Sequence, residues 1–411
     1  MNTWWGDFKS HFEQHSKQMN NARLRDWQRD CFQSFEEIGL PNTKQEWWRS
    51  TPLRSIYADG FQTSPKSSIA IQDIPLDAIV IQVSGQSAIL PDADLPKGIT
   101  IVPISSLPES YFTYLGQSLK HDDGFSLLNA AMFQAGVVIC VDKNIQLERP
   151  ICVMHQLHSG EMSYVRHMVV LEEHASIELI EYFSGDVDSA SMMNQATEVF
   201  LKQHAVLKHA KIQNIGLQAK LHSQLAVQQD AYSQSKVFLM QKGAALSNCD
   251  MHIDLNESHA VTELTGLFLP SGKQFHQQRL NVNHHVGECR SEQNFRGILD
   301  EQANGVFVGR VLVDKDAQKT EAHQSNKNLV LSKTAQMTTC PELQIFADDV
   351  VCSHGATVGQ LDDDAMFYLQ SRGFDFQLAK EMLIRAFVTS HFDAIEHPDV
   401  RRWCIELLNH E

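Results

Sequence analysis

The sequence predicts a mainly β protein built as a parallel β-helix between an N-terminal and a C-terminal helical region. Three observations carry that expectation. Helical periodicity disappears between Val137 and about Val351, where strand-like runs follow one another without intervening helices. Within that stretch His174-Ala175, His204-Ala205, Asp230-Ala231 and His259-Ala260 each open a run, at intervals of roughly 30 residues. Gly185, Gly216, Gly243 and Gly266 then close them. A β-sandwich also consists of many short strands, but it need not repeat, whereas a stack of one supersecondary unit must.

The elements follow in order. Residues 1–62 read as helical, with Leu24, Trp27, Cys31, Phe32 and Phe35 at helical spacing. Gly39-Leu40-Pro41 ends that helix, since glycine suits the C-terminal cap and proline blocks continuation. The aromatic run through Trp47-Trp48 suggests a docking surface; the alternative is that these tryptophans pack the helical region onto the next one. Residues 63–136 are mixed, with short strands at 78–83 and 99–103 and a short helix at 125–133. Residues 137–351 form the β-helix core. Residues 352–411 form a helical domain. Asp362, Asp363 and Asp364 start its first helix. Leu378, Met382, Ala386 and Phe387 mark the buried stripe of the next, and Pro398 begins the last, with Val400, Trp403, Cys404, Leu407 and Leu408 apolar. Such a unit is too small for a comfortable core of its own, so it should dock on the solenoid or on a partner.

Composition excludes several function classes. The chain has 411 residues, 43% of them hydrophobic and 20% charged, which is the profile of a folded protein and not of a disordered one. Its net charge is −16 and it has no run of Lys or Arg, so no nucleic-acid partner is expected. No apolar run approaches the roughly 18 residues of a membrane span. Residues 1–20 hold Trp4 and Trp5 among charges, without the apolar stretch of a secretory leader, so the expected location is cytoplasmic. The eight cysteines contain no CxxC pair, which argues against a local zinc site and for free thiols in a reducing compartment.

Few motifs carry chemistry. The nearest approach to a P-loop, Gly266 to Gly272-Lys273-Gln274, has one residue too many between its glycines, and Gln where Ser or Thr should bind Mg²⁺. The chain is not expected to bind a nucleotide. There is no GxSxG elbow. Cys352-Ser353-His354 is the one tight Cys–His pairing near an element boundary. In a strand residues i and i+2 face one side, so a thiolate and an imidazole would share a space, and both bind iron and zinc. The bland reading makes Cys352 a core residue and His354 a polar cap. His284, His285, Glu288 and Cys289 form a second cluster, but adjacent histidines in a strand face opposite ways, so a solvated face of the β-helix is the better reading. His155, His158, His167, His174, His204, His209, His222, His252 and His259 are dispersed, and most of them read as surface ladder residues.

The run from Phe346 through Asp362, containing Cys352-Ser353-His354-Gly355-Ala356-Thr357-Val358-Gly359, closely resembles the C-terminal signature of the SufB/SufD family. So does the continuation Met366-Phe367-Tyr368-Leu369-Gln370-Ser371-Arg372-Gly373, and so does Gly309-Arg310-Val311 with the stretch from Asp316 through Leu329. Gly39-Leu40-Pro41 and Trp48 to Leu53 add weaker support. SufB-type chains are longer and resemble Cys-x-His-Glu-Ala-Thr here, so Gly355, Ser371 and Arg372 place the resemblance on the SufD side. It implies a right-handed parallel β-helix in a non-enzymatic scaffold for iron–sulfur cluster assembly. It implies pairing with SufB through the end of the β-helix, binding of the ATPase SufC by the C-terminal helices, and a link to iron acquisition; whether the chain forms a homodimer when SufB is absent is not given by the sequence. His354 is then the expected ligand of iron or of a nascent, transient cluster shared with SufB, with Cys352 the interface thiol beside it. Two rivals remain: a scaffold in which both residues only pack, and a β-helix enzyme acting on carbohydrate.

Overall fold

The computed structural model describes residues 4–53, 56, 62–63, 74–85, 87–91, 95–119, 123–185 and 190–409. The boundary expected at 62/63 falls beside residues outside that set, as do the side chains of Trp4 and Trp5.

The centre is a parallel β-solenoid of about eight turns. Each turn gives one strand to each of two sheets. The first sheet runs through Val137–Val141, Glu161–Leu171, Ser191–Leu201, Ala219–Gln229, Leu246–Leu255, Phe275–His284, Asn304–Val313 and Gln336–Ile345. The second runs through Ile151–Leu157, Ser176–Gly185, Val206–Ile215, Gln234–Gly243, Val261–Phe268, Arg290–Leu299, Thr320–Val330 and Val350–Gly359. Ile99–Pro103 lies antiparallel to Val137–Val141, and Ile79–Ser84 lies parallel to Ile151–Leu157, so the mixed segment covers the first turn.

The repeat seen in the sequence is the solenoid's turn. His174, His204 and His259 occupy left-handed backbone positions between strands, and their rings stack along one edge. The fourth ring of that stack is Tyr232, 4.9 Å from His204 and 4.6 Å from His259. The expected third member, Asp230, sits two residues earlier, paired with Lys202. Gly266 closes no repeat; it lies inside Val261–Phe268, where a Cβ would strike the Phe295 ring.

Side chains between the sheets form the main core, including Ile177, Leu179, Phe183, Leu207, Leu239 and Ile253. The outer faces are also covered. Helices α1 (Trp4–Gln18), α2 (Ala22–Ile38) and α3 (Gly124–Met132) pack on the first sheet through Phe35, Phe125 and Phe133 against Tyr164, Met168 and Phe200. Asn21 caps α2 by accepting the Leu24 N–H, and Gly39 ends it at φ 74°. Trp48 is buried against Phe125 and His222, beneath the Arg279 guanidinium, so the tryptophan pair packs the helical region onto the solenoid instead of forming a docking surface.

On the second sheet lie α5 (Phe376–Thr389) and α6 (Pro398–Asn409), with α4 (Asp363–Ser371) against α5. Val400, Trp403 and Cys404 of α6 meet Ile180, Ile212 and Met240. The buried stripe of α5 differs from the expected one. Ala379 and Val388 are its buried residues, whereas Leu378 and Met382 are 44% and 38% exposed and Ala386 faces water as well. Among the described residues no helix is long and apolar enough to cross a membrane.

Double coverage explains why many strands are buried at every position, as in Glu161–Leu171, and why they show no alternation in sequence. It also corrects the reading of the histidines. His155, His167, His209 and His222 are buried, not surface ladder residues.

Candidate functional site

Solenoid strands continue past residue 351 to Gly359, so Cys352 and His354 lie on the final strand. Its register pairs Ala322 with Cys352 and Gln324 with His354. Ala322 and Gln324 are buried inside the coil. In-register parallel neighbours share orientation, so Cys352 and His354 both face the lumen, as the Cys-x-His spacing implied. No further turn covers them. The outer edges of Gln336–Ile345 and Val350–Gly359 are unpaired in the sheet order, which leaves the end of the coil open.

At this open end Cys352 packs half-buried against Val311, Val313, Ala317 and Ala322. Burial pushes its thiol above the ordinary value, and a backbone hydrogen bond from Ala322 acts in the opposite direction. His354 is exposed. On the other face of the same strand, Ser353 Oγ lies 2.8 Å from His323 Nδ1. Cys340, the other non-buried cysteine, pairs in register with Val308 on the neighbouring strand. It points to the outer face and shares no space with Cys352.

Among the described residues, large apolar side chains on or close in sequence to the last strand are left exposed. Phe346 is 65% exposed, Val351 62% and Phe367 73%. Single exposed apolar residues are ordinary, but Phe346 and Val351 flank an unpaired sheet edge, which is itself open to pairing with another chain.

In the other cluster of the sequence the two histidines face opposite ways as expected, but His284 and Cys289 are buried and do not belong to a solvated face. His284 turns inward to Ser291 Oγ at 2.8 Å, and His285 turns outward to Asp314 at 2.7 Å and Asp254 at 3.2 Å. Cys289 is buried, and Glu288 faces His259 at 3.1 Å. The structure adds a group that the sequence did not reveal. The ligand atoms of His155, His167 and Glu181 lie within 4.8 Å of one another, inside the lumen. Yet Glu181 already pairs with Lys211 and accepts from Thr197, and His167 Nδ1 accepts the Val137 N–H at 3.1 Å. Burial pushes Glu181 up, but Lys211 and His209 outweigh it and hold the carboxyl well below its usual range. Glu181 is thus held in a buried ion pair with its hydrogen bonds, whereas His167 Nε2 and both ring nitrogens of His155 are buried without a hydrogen-bond partner.

Chemically, the open end offers one thiol and one imidazole on a common face. That pair suits iron or zinc, but two ligands do not complete a tetrahedral site. Any metal held there needs donors from outside the chain.

Residues 153–387 match the family model described as "SUF system FeS cluster assembly, SufBD core domain", and residues 4–153 match "SufBD protein N-terminal region". The chain is similar to an iron–sulfur cluster assembly SufBD family protein of Synechocystis, 30% identical over 87% of this chain and 84% of that one. It is similar to the iron–sulfur cluster assembly protein SufD of Escherichia coli, 29% identical over 90% and 89%. The protein SufD of Bacillus subtilis is 24% identical over 74% and 70%.

Proposed function

We propose, because this chain belongs to the SufBD family of iron–sulfur cluster assembly proteins, that it serves as the SufD-type half of a cluster-building complex. It is a non-enzymatic, cytoplasmic scaffold subunit. Its open coil end pairs with the β-helix of a SufB-type chain, and its C-terminal helices carry a SufC-type ATPase. His354 ligates iron or the nascent cluster at that junction, Cys352 stands beside it, and the partner supplies the remaining ligands. The same end closes on a second copy when SufB is absent, and the site contributes to iron acquisition.

The observation that carries this reading is the placement of Cys352 and His354 on the lumen face of an uncovered rung. An unpaired parallel edge is a template for another strand, and a two-ligand site at that edge is completed only by what pairs there. The apolar residues of α5 that face water, Leu378 and Met382, give the ATPase a surface. The chain brings no P-loop, so ATP acts through that partner.

ATP-driven closure of two ATPase subunits shifts the C-terminal helices and opens the junction. Such a shift requires the nucleotide state to favour one arrangement over the other. In the purified three-protein complex, alkylation of Cys352 should accelerate when ATP is added. Equal rates with and without ATP would sink this part of the proposal, and failure to isolate the complex at all would sink the pairing.

The rival scaffold reading, in which Cys352 and His354 only pack, finds support for Cys352 in its half-buried contacts. Exposure of His354 speaks against it.

A further inference from the structure

Inside the last turns runs a short ladder of side-chain amides. Gln293, Gln324 and His354 occupy the same register position on three successive strands of the second sheet. On the turn before them the position holds Leu264, so the ladder starts at Gln293. Gln324 Nε2 donates to Gln293 Oε1 at 2.7 Å. Gln324 is 3% exposed, and its Oε1 has no hydrogen-bond partner. An unsatisfied buried acceptor costs about 1–3 kcal/mol, so it calls for a donor. Space for the amide is provided by Gly309 on the facing sheet, whose Cβ, if present, would strike the Gln324 Nε2.

In an amide ladder each rung gives its N–H to the rung before and leaves its oxygen for the rung after. The rung after Gln324 is His354, an N–H donor. We infer that Gln324 is a positioning residue: it accepts the inward ring N–H of His354 and so fixes the tautomer that turns the other nitrogen's lone pair toward the open end. The inference rests on the reading of His354 as an iron ligand. A ligating histidine commonly donates its second ring N–H to such an acceptor, which sets ring orientation and raises basicity.

The test uses the co-expressed complex with its SufB-type and SufC-type partners, titrated anaerobically with ferrous iron between pH 6 and 8. Five forms are compared: wild type, His354→Ala, Gln324→Leu, Gln324→Glu and Gly309→Ala. Gln324→Leu removes the acceptor and should weaken iron binding by about 10-fold. The pH midpoint of binding should move down, because the ring is less basic. Gln324→Glu keeps an acceptor in either orientation of the side chain. It should bind at least as tightly as wild type, with the midpoint moved up. Gly309→Ala displaces the amide without touching His354 and should resemble Gln324→Leu, with thermal midpoints confirming that each form is folded.

Opposite midpoint shifts in the Leu and Glu forms are a signature that packing alone does not produce. Equal weakening in both, with unmoved midpoints, overturns the inference. So does wild-type binding in Gln324→Leu and Gly309→Ala while His354→Ala loses iron; in that case the ligand reading stands and the positioning role falls. If His354→Ala keeps its iron, the ligand reading itself has failed.

Discussion

Cys352 and His354 share a direction because of strand alternation, and both are left uncovered because the coil ends at their strand. The first property was legible in the sequence, since a Cys-x-His spacing in a strand has only one geometric outcome. The second needed the count of turns. Gln324 could not be singled out from sequence, because its place beneath His354 depends on a register set by strands far apart in the chain. The same holds for Glu181 and Lys211, which stand in register on neighbouring strands within the lumen. Lys211→Met leaves the Glu181 carboxylate buried without its counter-charge, and should lower stability by about 3 kcal/mol in urea unfolding. Adding Glu181→Leu to that variant should restore most of the loss. An unchanged midpoint in the single variant would mean that water or another donor reaches Glu181.

At the scale of elements, glycine punctuation and helix caps were the readable signals, and they read well at Gly39, Asp362 and Gly243. Gly243 ends its strand at φ 79°, with the Ile215 carbonyl where a Cβ would stand. Gly243→Ala meets both a strained backbone and a backbone clash, and should lower the thermal stability by at least about 2 kcal/mol. A neutral result would show that the turn has an alternative conformation. Helix α5 was the element read with the wrong face. Its apolar residues exceed what one buried stripe uses, and periodicity cannot tell a stripe that meets the solenoid from one that meets another protein. Leu378→Glu with Met382→Glu should therefore leave the isolated chain's stability within about 0.5 kcal/mol. It should also remove the ATPase from the complex in size-exclusion chromatography. Loss of folding, or retention of the ATPase, would contradict that assignment.

For the whole molecule, the solenoid was visible as a repeat, but its double coverage was not. Strands buried on both faces lose the alternation that would have marked the inside, so histidines were read as outside that in fact lie in the lumen or under the helices. Their burial has a measurable consequence. Desolvation lowers His167 and His276 from 6.5 to about 4 and His222 to about 3. These rings are neutral when folded, and the unfolded chain binds more protons between those values. Stability is therefore full above the unfolded value and is lost as pH falls from about 6.5 toward 4. A thermal midpoint that fell steeply over that window, and less steeply in His222→Gln, would fit; a flat profile would not.

The central claim is that the open end of this solenoid is half of a cluster-building site. The direct measurement is the absorbance of the bound cluster after anaerobic reconstitution, with ferrous iron and sulfide, of the complex between this chain and its SufB-type and SufC-type partners. Wild type is compared with His354→Ala. The account predicts that the variant complex assembles to full size and loses the cluster's absorbance. An unchanged spectrum in the assembled variant would contradict it, and would place every ligand on the partner.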